Sequence, residues 1–185
     1  MLFETVLCLE GVVQNINMHE LRMQNSSGIK FDLSFLKPPQ SGTYRCKIIY
    51  DSDIISAEYI PYTKRIIKTL KIVNSDISYP VKSTDRAELD ALFAARGDAD
   101  DILIVKNELT TDTSIANLAF LSHGQWLTPK SPLLRGTMRE KLLNDGFLIE
   151  ADIKISDIDN FDGVAVMNAL RGFEPLGNVK DVIRF

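Results

Sequence analysis

The chain has 185 residues, 45% of them hydrophobic, which suffices for one large domain or two small ones. A formal net charge of −4 and a pI near 5.2 argue against a dedicated nucleic-acid binder, which carries a basic face. No apolar run approaches the ~20 residues of a membrane span, and two cysteines (Cys8, Cys46) with two histidines show no metal-ligand spacing.

The first twenty residues include Glu4, Glu10 and Glu20 and lack a cleavable apolar core, so no signal peptide is expected. The expectation is a soluble cytoplasmic protein whose partner is a small molecule or another protein. Residues 2–9 and 12–16 are rich in β-branched side chains and separated by Glu10-Gly11, a hairpin signal. Asn17 can cap a helix over 18–24 that ends in the turn-forming run Asn25-Ser26-Ser27-Gly28. A second short helix is expected over 31–36, stopped by Pro38-Pro39, and strands over 43–50 and 54–60. This makes a small α+β unit, 1–60, followed by a linker, 61–66, and a strand-rich unit, 67–185.

In the second unit a strand is expected over 65–73 and a helix over 86–96, capped by Thr84 or Asp85, with Leu89, Leu92 and Phe93 on one face. Short strands follow at 101–105, 115–121, 125–128, 147–153 and 164–167. A helix over 137–144 is closed by Asp145-Gly146.

The run 109–143 asks for more than a structural explanation. Thr110-Thr111-Asp112-Thr113-Ser114 leads into an apolar strand, and after a hairpin a Pro- and Gly-flanked turn opens onto a helix at Gly136-Thr137-Met138-Arg139. Such a turn aims bare backbone N–H groups at one spot, the usual way to hold a phosphate. A carboxylate at a strand end can hold a cofactor ring nitrogen, and the third part of such a site is a nucleophilic lysine. Lys82, in Tyr79-Pro80-Val81-Lys82, is the candidate.

Taken in order, Tyr79-Pro80-Val81-Lys82, Asp85-Arg86, the run from Asp112 to Leu118, Trp126-Leu127-Thr128-Pro129, and the run from Pro132 to Arg139 resemble the fold-type-IV pyridoxal-phosphate enzymes. These are the class IV aminotransferases, including branched-chain and D-amino-acid aminotransferases and aminodeoxychorismate lyase. His19-Glu20-Leu21-Arg22 is similar to the family's His-x-x-Arg, and the resemblance covers roughly 3–173. It implies a two-part D-amino-acid aminotransferase-like α+β fold, with a small α+β unit followed by a barrel-like unit. It also implies pyridoxal 5'-phosphate as cofactor, a small-molecule amino substrate and a homodimer.

By the same resemblance Lys82 is the Schiff-base lysine. An amine near its ordinary pKa of about 10.4 is a poor nucleophile until burial or a nearby cation lowers it. Read by itself, Lys82 is equally a strand-end lysine in solvent. Asp112 matches the position where the family holds the pyridine nitrogen, usually with glutamate, and is otherwise a turn aspartate. Arg22, the amides of Thr137 and Met138, and the Asn168-Ala169 turn match the phosphate contacts. Arginine suits that task because its planar fork donates two hydrogen bonds. Taken alone, Arg22 reads as a helix-surface ion pair and Gly136-Thr137 as an ordinary helix start.

Arg86 matches a position near the cofactor's phenolic oxygen and also fits a solvated helix arginine. The family's Tyr-x-Arg substrate pair is not reproduced in register by Tyr44-Arg45-Cys46-Lys47, which leaves Tyr44 as the pocket candidate. His123 reads as a turn residue. Family members carry a further strand ahead of the segment matched by Phe3-Glu4-Thr5. The implied activity is elimination of pyruvate, as in aminodeoxychorismate lyase, or amino-acid transamination. The alternative is a shortened relative that binds cofactor or a protein partner without turnover.

Overall fold

A computed structural model describes residues 1–185. The chain forms two compact units, one made of 1–65 with 81–85 and the other of 66–80 with 86–185. Strands dominate, with few helices, as the resemblance implies.

The first unit is an antiparallel sheet of β1 (Leu2–Leu9), β2 (Val12–Val13), β3 (Thr43–Tyr50) and β4 (Ile54–Pro61), in the order β2-β1-β3-β4, with one helix, α1 (Ile16–Ser27). Alternation sets the faces: Glu4, Val6 and Cys8 of β1 are buried, while Phe3, Thr5 and Leu7 are half-buried on the other side. Val6, Cys8, Cys46, Ile48 and Tyr50 pack with Met23 of α1 and with Phe31, Leu33 and Leu36.

Helix α1 is longer than the expected 18–24. It starts after Asn15, and Gly28, with φ of 74°, closes it by donating its N–H to Gln24 O at 2.8 Å. No helix forms over 31–36. Asp32 Oδ1 accepts the Ser34 N–H and Glu20 Oε1 accepts the Leu33 N–H, each at 2.8 Å, so side chains take the amides a helix would need.

The second unit contains β5 (Leu70–Asn74), α2 (Ala87–Ala94), β6 (Asp101–Lys106), β7 (Leu109–Thr110), β8 (Asn117–Ser122), β9 (Gln125–Pro129), α3 (Thr137–Asn144) and β10 (Leu148–Ala151). They are followed by a 3-10 turn (Ile155–Asn160), β11 (Gly163–Asn168), β12 (Gly172–Gly177), α4 (Val179–Val182) and β13 (Ile183–Arg184). One sheet has the order β13-β5-β6-β7 and the other β10-β9-β8-β11-β12.

Leu70, Leu103 and Val105 of the first of these sheets share an apolar core with Leu118, Phe120, Val164 and Val166 of the second. Beyond the four-stranded sheet, Leu89 and Leu92 of α2 pack on Ile102 and Ile104. Beyond the five-stranded one, Met138, Leu142 and Leu143 of α3 pack on Ala119, Ala165 and Met167. The strand expected over 65–73 begins only at Leu70, because Asp100 Oδ2 takes the Lys68 and Thr69 amides at 2.8 and 3.0 Å. No helix of the protein is long and apolar enough to cross a membrane.

Candidate active site

In the second unit the site is built around one tight loop. The strand expected from 115 starts at Asn117, because Thr113 folds the chain back first. Its Oγ1 accepts the Ile115 and Ala116 amides at 3.3 and 3.0 Å, and its own N–H donates to Ala116 O at 2.8 Å. This turn sets Asp112 and Asn117 opposite each other as an antiparallel bridge.

Asp112 is 5% exposed. Its Oδ1 accepts Asn117 Nδ2 at 2.7 Å, its Oδ2 accepts the Leu134 N–H at 2.8 Å, and the Leu133 amide also donates to it. Burial pushes its pKa up to about 7, against the lowering pull of the Leu134 amide, Asn117, the Arg139 charge and the Leu133 amide. A carboxylate has about four lone-pair positions, so these three donors leave room for one more. That carboxylate can hold or release a proton near neutral pH.

Asn117 is a site residue that sequence reasoning missed. Its Nδ2 also donates to Leu134 O at 2.7 Å, so one carboxamide joins Asp112 to the segment that leads into α3. Its Oδ1 lies so close to Gly136 that a Cβ at that position would collide with it. The signal in the sequence was the pair Asp112 and Asn117 flanking a Thr-Ser turn, which places two polar side chains across from each other.

Gly136 leads directly into the first turn of α3, where Thr137 is buried and the leading amides have no partner inside the helix. The Met138 side chain packs into the apolar layer under α3, so only its main chain can serve a ligand. Arg139 is fully buried and structural in its contacts. It donates to Glu150 Oε1 at 2.6 Å, Glu140 Oε1 at 2.8 Å and Pro129 O at 3.0 Å.

Two more of the expected residues meet the same loop. Arg86 donates through Nη2 to Ser114 O at 3.0 Å and pairs with Asp90 at 3.3 Å. Asn168 donates through Nδ2 to Ile115 O at 3.1 Å, while its Oδ1 accepts the Leu170 and Arg171 amides at 3.0 Å each. The Asn168 carboxamide is therefore committed to its own turn and to Ile115, which leaves main-chain groups at Ala169 as the means of contact with an anion. Arg86, Asp112, Asn168-Ala169 and the start of α3 are thus gathered around 112–117.

In the first unit, Lys82 lies along the start of β1. The Phe3 N–H donates to Lys82 O at 2.9 Å, Leu2 and Ser83 form an antiparallel bridge, and the Thr84 N–H donates to Met1 O at 3.1 Å. The Lys82 Nζ stands 4.6 Å from the centroid of the Phe3 ring. Arg22 is engaged by Glu4 through Nε at 2.8 Å and Nη2 at 2.5 Å, and His19 Nδ1 shares the same carboxylate at 2.7 Å. Burial alone would raise the Glu4 pKa, but Arg22 and His19 more than reverse this and hold the carboxyl well below its usual range. Arg22 is therefore the half-buried partner of a fully buried carboxylate, not the surface pair that the sequence alone allows.

Tyr44 packs against the core face of the sheet with Cys46 and Ile48. Phe3, which carries the Lys82 contact, faces the other side. The first unit thus separates Tyr44 from Lys82, because the two-residue period of β1 and β3 puts them on opposite faces.

The Amino-transferase class IV family matches residues 55–179. An uncharacterized protein of Haemophilus influenzae is 42% identical over an alignment covering 92% of this chain and 98% of the relative. A Haemophilus somnus protein, provisionally named 4-amino-4-deoxychorismate lyase, has a crystal structure that superposes with a TM-score of 0.82. It is 32% identical and covers 92% of this chain and 96% of its own. A Schizosaccharomyces pombe protein given the provisional name aminodeoxychorismate lyase is 32% identical over 64% of this chain and 55% of its own length. The PLP-bound form of a hypothetical aminotransferase from Mycobacterium tuberculosis is 15% identical with a TM-score of 0.77, a likeness of fold. With most of its length matched, the chain belongs to the class IV aminotransferase family.

Proposed function

We propose that the protein is a pyridoxal 5'-phosphate-dependent enzyme that eliminates pyruvate from an aminodeoxychorismate-like substrate. The observation that carries this is the loop at 112–117, which gathers a buried carboxylate, an arginine, the Asn168-Ala169 turn and the start of α3. That donor set fits the group: the amides of Thr137 and Met138 suit a phosphate, and a carboxyl with a pKa near 7 suits a ring nitrogen. When bound, the pyridine ring supplies a sink for the electrons of the bond broken at the substrate's α-carbon.

The residues divide the remaining work. Lys82 supplies the amine that holds the cofactor covalently, and it moves the proton at the substrate's α-carbon as general base and acid. Asp112 keeps a proton on the ring nitrogen, and burial of Asp112, Thr113 and Ser114 keeps water from competing for it. In this reading Arg22, held by Glu4, is a phosphate ligand of the first unit, and the α3 amides and Ala169 are the phosphate ligands of the second. Arg86 belongs near the cofactor's phenolic oxygen. The names of the two lyase-like relatives favour elimination over amino transfer. A homodimer is part of the proposal.

The test is direct. Purified protein supplied with pyridoxal phosphate should turn yellow, lose the colour with borohydride and carry a fixed pyridoxyl mass on Lys82, and Lys82→Ala should do none of these. Pyruvate release from aminodeoxychorismate supports the lyase, and glutamate-dependent amino transfer to keto acids would replace it with the aminotransferase. Protein that takes up no pyridoxal phosphate would sink both and favour a non-catalytic relative.

A further inference from the structure

Within the first unit, the residue that touches Lys82 at both ends is Phe3. Its N–H donates to the lysine's own carbonyl at 2.9 Å, and its ring lies 4.6 Å from the lysine's Nζ. The flanking contacts, the Leu2–Ser83 bridge and the Thr84 N–H to Met1 O, keep this stretch in strand register. The lysine backbone is thus fixed beside β1 before its four-carbon stem is placed.

The stem is then directed by the ring. An aromatic face attracts a cation within about 6 Å of its centroid, and each contact of that kind narrows the rotamers of a flexible ammonium side chain. Phe3 faces away from the core of the first unit, on the side of β1 shared by Thr5 and Leu7. Lys47 of β3 projects on that side too, with its Nζ 6.0 Å from the Phe3 centroid. Across the β3–β4 register Lys47 sits opposite Glu58. The ring therefore has two cations beside it and holds the Lys82 amine closer than the Lys47 amine.

We propose that Phe3 is the positioning residue for Lys82, pinning its main chain with one hydrogen bond and seating its amine against the ring face. The proposal rests on the reading of Lys82 as the cofactor-bonding lysine, and it adds the residue that aims it. No part of it requires the ring to touch the cofactor.

The experiment is competitive acylation of the full-length protein at one pH with a small amine reagent, without pyridoxal phosphate, read residue by residue by mass spectrometry. Lys30, which is exposed, serves as the internal reference. Phe3→Leu should raise the Lys82 rate about two- to fivefold over Lys30, with a smaller rise at Lys47, while Phe3→Tyr keeps the parental pattern. Should Phe3→Leu fail to fold, a ring-difluorinated phenylalanine at position 3 weakens the ring's charge distribution at nearly constant shape and should raise the Lys82 rate in the same direction. An unchanged Lys82 rate in the folded variant, or a rise equal at Lys30 and Lys82, overturns the proposal. Borohydride fixation in the parent is scored separately: its absence removes the cofactor role of Lys82, and the labelling ratio still decides whether the ring holds the amine.

Discussion

Asn117 holds together three things that a ligand site needs in fixed relation: a carboxylate, the strand that bears it and the turn that opens α3. Asn117→Ala should leave Asp112 Oδ1 and Leu134 O without their donor, at a cost of about 1–3 kcal/mol for each group left bare. Chemical denaturation reads that loss directly. Asp112 itself was legible, because a carboxylate before an apolar strand stands out in the sequence. Asn117 is harder to read, since the pair it makes with Asp112 across the Thr-Ser turn becomes a contact only because the chain reverses at Thr113.

Asp112 also predicts a pH dependence. Its folded pKa is raised to about 7. The stability it contributes is therefore fully present below the unfolded carboxylate value and is lost as the pH rises through about 7. Measured as parent minus Asp112→Asn, unfolding free energy should fall between about pH 4 and pH 7 and flatten above. A flat difference across that range would show that burial does not govern this carboxyl.

Among the elements, β1 and α1 are joined by an ion pair as well as by apolar packing. Glu4 on β1 meets Arg22 and His19 on α1, and the carboxylate is fully buried. Removing one partner of a buried pair strands the other charge, so Glu4→Ala should cost about 3–5 kcal/mol in urea unfolding. Glu4→Gln, which keeps one acceptor, should lose less. The strands of the first unit follow from alternation of apolar residues, and 43–50 was fully legible. The failed helix over 31–36 shows the limit of that approach. Its apolar residues are spaced acceptably for a helix, but Asp32 and Glu20 compete for the amides and win.

At the scale of the whole molecule, the chain leaves its first unit after 65, returns for five residues and departs again after 85. Composition carries no signal for so short a return, because Val81 to Asp85 is held by main-chain contacts that any residues could make. The sequence alone groups 81–85 with the rest of 67–185. The two units have separate apolar cores, and a ligand that binds only the folded state stabilises by mass action. Saturating pyridoxal phosphate should raise the melting temperature of the parent by several degrees and that of Lys82→Ala by much less, as read by differential scanning calorimetry.

The five-residue return also bears on how the protein could be divided. A cut between 66 and 80 would leave the lysine on one polypeptide and the strand that seats it on the other. The two pieces could then recover the lysine's place only by adding residues 82–84 to the exposed start of β1, as a peptide adds to a sheet edge. Reassembly of such a split protein and restoration of its reactive amine would be the same event.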